Sequence, residues 1–311
     1  MNGWAELDRF LRTDPRDVGC MVAVHHRYAE VQGRRLFYRE AGPADAPALV
    51  LLHGFPTSSF MFRGLVPALA DDYHVIAPDH LGFGLSDAPP ADEFTYTFDA
   101  LTDLTAALLD HLGVSRYAIY VQDYGAPIGW RLALNDPAAI SAITTQNGNA
   151  YEAGFVDAFW RTVWDYQREQ TPQTEAAIRK ALTLDAIKWQ YLTGVPDPTL
   201  VSPQTWHHDH ALVSRPGNDR IQLALFHDYA TNPPLYPRLH YLRTHRPPLL
   251  AVWGKGDEIF APAGARAFAD DVPSARVHLL DGGHFLLESA LDEVVPLIRD
   301  FLGDNLPGKA G

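Results

Sequence analysis

Three short segments carry residue types suited to nucleophilic and general-base chemistry. They are Asp123 in Val121-Gln122-Asp123-Tyr124-Gly125, Asp257 in Trp253-Gly254-Lys255-Gly256-Asp257, and His284 in Gly282-Gly283-His284-Phe285. A carboxylate is already ionised at neutral pH and can attack without help, whereas an imidazole can take a proton from water. A fourth segment, His53-Gly54-Phe55-Pro56, leaves an apolar run through a tight backbone path. Each has a plain structural reading on its own. Asp123 could cap a helix, Asp257 could shape a turn, His284 could sit in a surface loop, and the fourth segment could be only a strand exit. All four follow apolar runs, and coincidence is a poor account of the whole set.

The elements that would position them alternate between strand and helix. Residues 27–31 and 35–39 pair as a hairpin with Gln32-Gly33 at the turn. Short apolar runs at 48–52, 74–77, 117–121, 140–144, 248–253 and 276–280 are expected to be strands buried on both faces. Helical patterns fall at 60–69, 96–112, from Pro127, at 262–270 and at 291–302. The alternation stops after Gly148, and residues 149–238 hold helical stretches rich in aromatics. This predicts an α/β core with a mostly parallel sheet, at 25–148 and 239–305, interrupted by a helical cap at 149–238. With no sheet of its own, the cap is expected over the carboxyl edge, where open α/β sheets bind ligands. Residues 1–24 are expected to be an N-terminal extension and 306–311 a tail.

Composition narrows the function classes. The 311 residues are 47% hydrophobic, enough for a large core, and 25 basic against 38 acidic residues give a net charge of −13. Such a surface disfavours phosphate backbones and anionic lipid, so neither nucleic acid nor membrane is expected as a partner. The single cysteine, Cys20, excludes an internal disulfide and a cysteine-based zinc framework. No apolar run reaches the length of a membrane span, no signal segment is visible, and a cytoplasmic protein is expected. His207-His208-Asp209-His210 has the composition of a metal cluster, but lacks a second cluster, and no metal is assigned to it.

In their order and spacing the four segments resemble an α/β-hydrolase-fold enzyme over about residues 26–305, in the group of the epoxide hydrolases and haloalkane dehalogenases. The loop Asp79-His80-Leu81-Gly82-Phe83-Gly84-Leu85-Ser86-Asp87 is similar to the same group. The resemblance implies Asp123 as nucleophile, Asp257 as acid and His284 as base, with oxyanion-hole amides from Phe55 and Tyr124. Val121 stands where the family usually has an elbow glycine, a departure shared with the dehalogenase branch. Some relatives carry the acid after the preceding strand, but Gln146-Asn147-Gly148-Asn149 offers no carboxylate there, which favours Asp257. An aspartate at the elbow implies attack on a saturated carbon, an alkyl ester on the enzyme, and His284 free to activate the water that cleaves it.

The leaving group separates the two branches. Dehalogenases hold a halide with a tryptophan after the nucleophile and a further N–H donor; Tyr124 and Phe55 occupy those positions. Fluoroacetate dehalogenases hold a carboxylate with arginines after the nucleophile, where Tyr124 and Pro127 stand, and Arg131 reads as a helix-face residue. Tyr229, late in the cap, resembles the proton-donating tyrosine of epoxide hydrolases, with Tyr166 and Tyr151 as candidates for a second. Trp160 and Trp164 complete the expected pocket and keep halide binding open. The sequence therefore leads to a cofactor-independent epoxide hydrolase giving a vicinal diol, with a haloalkane or haloacid dehalogenase as the alternative. A non-turnover ligand-binding or biosynthetic protein on the same fold is the remoter one. The partners expected are a small apolar electrophile and water; whether the chain forms a homo-oligomer is left open.

Overall fold

The computed structural model describes residues 22–306, so the expectations for the extension and the tail fall almost entirely outside the described residues. Eight strands form one sheet: β1 (His25–Val31), β2 (Arg34–Ala41), β3 (Ala48–Leu52), β4 (His74–Pro78), β5 (Tyr117–Gln122), β6 (Ile140–Gln146), β7 (Leu249–Gly254) and β8 (Arg276–Leu280). Their spatial order is β1-β2-β4-β3-β5-β6-β7-β8. β1 pairs with β2, and β2 with β4, antiparallel; every pair from β4 to β8 is parallel. The opening hairpin turns on Gln32 and Gly33, both at positive φ (51° and 73°), as a two-residue turn requires.

Helices cover both faces. Leu49 and Leu51 of β3 face a cluster with α1 (Leu65–Leu69), the short α11 (Leu286–Ser289) and the C-terminal helix α12 (Leu291–Asn305). Val50 and Leu52 face the opposite cluster, with α2 (Phe98–His111), α3 (Gly125–Asn135) and α10 (Pro262–Asp271). This alternation of two buried faces is why the strands read as continuous apolar runs. The helix expected over 60–69 is instead a 3₁₀ turn at Ser59–Phe62 followed by the short α1. α2 starts at Phe98, where the Thr97 hydroxyl accepts the Ala100 N–H at 3.1 Å. The chain is an α/β-hydrolase fold in sheet order and layering.

Between β6 and β7 the chain forms α4 (Asp157–Arg168), α5 (Pro172–Ile178), α6 (Leu184–Leu192), α7 (Pro203–Val213), α8 (Asn218–Asp228) and α9 (Tyr241–His245), with 3₁₀ turns including Tyr229–Thr231. This insertion meets loops at the carboxyl ends of the strands. Phe155 bridges to Phe260 after β7, Phe226 lies 5.1 Å from Phe55 after β3, and Tyr191 stacks 4.1 Å from Phe285 beyond β8. Among the described residues no helix is long and apolar enough to cross a membrane.

Candidate active site

The sharp exit from β5 begins with Asp123 at φ +47°, a left-handed conformation that costs a non-glycine residue energy and aims its side chain out of the strand. α3 begins two residues later at Gly125, where a Cβ would lie 2.0 Å from the Leu52 carbonyl oxygen. Helix therefore starts earlier than Pro127 suggested, and the proline sits harmlessly in its first turn. Across from the elbow the Phe55 N–H donates to Asp123 Oδ1 at 2.7 Å, and the Tyr124 amide also donates to this carboxylate. Gly54 makes that approach feasible, because a Cβ there would lie 2.3 Å from the Asp123 Cβ. The His53–His80 pair braces the same loop from behind, with His80 N–H donating to His53 Nε2 at 3.1 Å. Burial pushes the His53 pKa down to about 4, so this pair stays neutral and structural.

His284, in the loop after β8, stands with Nε2 3.8 Å from Asp123 Oδ2. Its Nδ1 donates to Asp257 Oδ2 at 2.9 Å. Asp257 is held on every side: Oδ1 accepts the amides of Ile259 (2.7 Å) and Phe260 (3.2 Å), and Oδ2 also accepts Asn147 Nδ2 at 2.6 Å. All three side chains are buried. Burial raises the Asp123 pKa above the ordinary carboxylate value, against the opposing pull of His284 and of the Phe55 and Tyr124 amides. For His284 burial works downward, but the Asp257 charge and hydrogen bond, with the Asp123 charge, outweigh it and leave the imidazole raised.

Three neighbours were not apparent from the sequence. Gln122 Nε2 lies 2.9 Å from His284 Nε2 and donates to it when the neutral imidazole carries its proton on Nδ1. Asn147, at φ +48°, holds Asp257 and accepts the Gly254 N–H at 3.2 Å. Tyr236 buries its hydroxyl close to that of Tyr229, so that each influences the ionisation of the other. Gln122 had been noted only as part of the Asp123 segment, and the Gln146-Asn147 region for its missing carboxylate. Nothing in local spacing singled out Tyr236.

Of the residues expected to line the pocket, Tyr229 packs 4.4 Å from the Trp160 ring and 5.8 Å from Tyr124. Its hydroxyl is buried, lies beside the Tyr236 hydroxyl, and feels the Asp123 charge. Trp164 stacks on Trp160 at 5.2 Å, but the Trp160 indole N–H is committed to the Ile259 carbonyl at 2.9 Å. The two candidates for a second tyrosine lie elsewhere. Tyr151 donates to Asp271 Oδ2 at 2.9 Å, and Tyr166 faces Glu175, Arg179 and His227. Tyr166 is buried on α4 among other partners and Tyr151 reaches α10, whereas the hydroxyl that lies beside that of Tyr229 belongs to Tyr236. Arg131 is buried rather than on an open helix face. Asp209 turns inward from α7 while His208 stacks on Phe60 at 4.3 Å, and among the described residues no three such groups converge to hold a metal.

A family model described as the alpha/beta hydrolase fold matches residues 47–291. An uncharacterised hydrolase of Saccharomyces cerevisiae is 41% identical over 291 residues, covering 92% of this chain and 99% of the yeast protein. The solved structure of the haloalkane dehalogenase DbeA from Bradyrhizobium elkani is 25% identical with a TM-score of 0.74, covering 91% of this chain and 98% of that one. The structure of epoxide hydrolase A from Mycobacterium thermoresistibile is also 25% identical, with a TM-score of 0.70 and the same two coverages. Sheet order, elbow and sequence agree, and the chain is a hydrolase of the alpha/beta hydrolase family, related to haloalkane dehalogenases and epoxide hydrolases.

Proposed function

We propose that the chain is an epoxide hydrolase working through an alkyl ester on Asp123. Solved relatives of both activities are 25% identical to it, so the choice rests on the residues around the elbow. The observation that carries the reading is the buried Tyr229 hydroxyl, which feels the Asp123 charge and has the Tyr236 hydroxyl beside it. An opening epoxide generates an alkoxide and needs a proton donor. A halide needs N–H donors instead, yet the Trp160 indole is spent on Ile259, and the Phe55 and Tyr124 side chains carry no N–H.

In this reading the Phe55 amide holds Oδ1, the Tyr124 amide bonds the same carboxylate, and Oδ2, on the His284 side, attacks the epoxide carbon. The carbon–oxygen bond of the ring breaks as the Tyr229 proton moves to its oxygen, leaving a hydroxyalkyl ester and a phenolate. Gln122 then yields Nε2 of His284 to a water, whose proton His284 takes as the hydroxide adds to Cγ of Asp123. The charge collects on Oδ1, where the Phe55 amide already points and the Tyr124 amide is at hand. Collapse expels the diol oxygen, which takes the proton from His284, and the proton on the Asp123 carboxyl restores the phenol. The helical insertion acts as the cap over this reaction.

The test is a panel of styrene oxide, 1,2-epoxyhexane, 1-bromobutane and fluoroacetate, with diol and halide release read separately. Diol release from an epoxide is expected, and Tyr229→Phe should slow that reaction about 10²–10⁴-fold through the alkylation step. Halide release without any diol would overturn the reading in favour of the dehalogenase.

A further inference from the structure

We infer that Arg131 is a positioning residue for this reaction: a buried strut from the nucleophile's own helix that sets where Tyr229 stands. The inference rests on the reading of Tyr229 as proton donor. Arg131 projects from α3, the helix launched by the elbow, and is 6% exposed. Its Nη1 donates to Asn232 Oδ1 at 2.7 Å and its Nη2 to Thr231 Oγ1 at 2.9 Å. These two acceptors lie at the end of the 3₁₀ turn Tyr229–Thr231 and just after it. Nη1 also meets the Pro127 carbonyl of α3 itself at 3.2 Å, Nε donates to Asp99 at 2.5 Å, and the guanidinium lies 5.6 Å from the Phe98 ring centre.

The other end of the same turn is tied as well. Asp228 Oδ2 accepts the Phe98 N–H at 2.7 Å, at the start of α2. Tyr229 thus sits between two anchors, and its own hydroxyl is met by that of Tyr236 from the turns that follow. Ring packing alone can let an aromatic slide, whereas a planar fork with several directed bonds fixes distance and angle together. Because the strut starts on α3, it registers the proton donor against Asp123 rather than against the remainder of the cap. Proton transfer to the epoxide oxygen must coincide with formation of the ester bond to Oδ2, so that register governs the first step. The second step uses His284 and a water on the other side of the carboxylate and does not pass through this turn.

A single turnover of whichever panel epoxide the unaltered protein converts fastest, quenched at intervals and read by intact mass, separates the two steps. The rise of the ester reports alkylation and its decay reports hydrolysis. In Arg131→Met the rise is expected to slow about 10- to 100-fold, in line with the cost of an ångström-scale misplacement, while the decay stays within about twofold. Thr231→Val, which removes one acceptor and little volume, should slow the same step by a smaller factor. It decides the matter alone if Arg131→Met fails to fold. Equal slowing of both steps, or an unaltered rise in the folded variants, overturns the inference. Tyr229→Phe run alongside separates the two failures: a normal rise there sinks the proton-donor reading itself. A slow rise there with a normal rise in the Arg131 and Thr231 variants sinks only the strut.

Discussion

At the scale of single residues, the proposed chemistry depends on how Asp123 changes the electrostatics of His284. In the free protein the Asp257 and Asp123 carboxylates outweigh burial and hold the imidazole pKa above its ordinary value. Once Asp123 is an ester it carries no charge, so one of the two raising influences disappears and the imidazole pKa falls. The base is thereby released in the state that needs it. The proposed mechanism predicts that ester decay loses its rate toward acid pH at a lower pH than the His284 titration of the free protein. Rapid-quench decay constants across pH, set beside an NMR titration of the imidazole, check this; coincident midpoints would show that Asp123 exerts no such control. Removal of the base is the companion experiment. His284→Gln should still be alkylated, because the carboxylate needs no activation, but should accumulate protein-plus-epoxide mass on the peptide containing Asp123. An unmodified mass after long incubation with a substrate of the unaltered protein would contradict the two-step scheme.

At the scale of elements, the site is built by what happens in the few residues after each parallel strand. β3 supplies the Phe55 amide, β5 supplies Asp123, β6 supplies Asn147, β7 supplies Asp257 and β8 leads to His284. Two of these exits use a non-glycine residue at positive φ, Asp123 and Asn147, so local strain is spent on aiming side chains. Asn147 is the more informative of the two because its side chain makes three bonds: to Asp257, from the Gly254 N–H and from the Gln146 amide at 2.7 Å. Asn147→Ala should cost about 1–3 kcal/mol of stability, the range for leaving such buried partners unmet. Asn147→Gly loses the same bonds but tolerates φ +48°, so it should be the less damaging by about 1 kcal/mol. Urea unfolding of the pair measures the difference. Equal losses would mean that the backbone conformation at 147 carries no strain.

At the scale of the whole molecule, what was legible in the sequence is what local chemistry dictates. Runs such as Ala48–Leu52 declare a buried strand by themselves, Gln32-Gly33 declares a tight turn, and the ordered Asp, Asp and His segments declare a family. Asn147 was not legible because its partner Asp257 lies far along the chain, and Tyr236, though near Tyr229 in sequence, comes beside it through irregular turns after α8 that no periodicity marks. The same holds for Asp209, which in sequence belonged to a histidine-rich stretch and in the fold joins the insertion to the core. Its Oδ2 accepts the Tyr191 hydroxyl at 2.5 Å, Thr57 bonds it from the core side, and Tyr191 stacks on Phe285. Burial pushes its pKa up to about 8, against the opposing bonds from Tyr191 and Thr57; nearby Glu288 also raises it and Arg63 lowers it. Between the ordinary carboxylate pKa and about 8 the folded protein therefore binds a proton that the unfolded chain has released, so this group's contribution to stability declines as pH rises through that window. Asp209→Asn keeps an acceptor for Tyr191 and never ionises. Relative to the unaltered protein, its melting temperature should gain steadily from pH 4 to pH 8, with the gain levelling off above about pH 8. A difference that stays flat over that range would mean that Asp209 is ionised in the fold throughout, and that Tyr191 and Thr57 satisfy a buried charge.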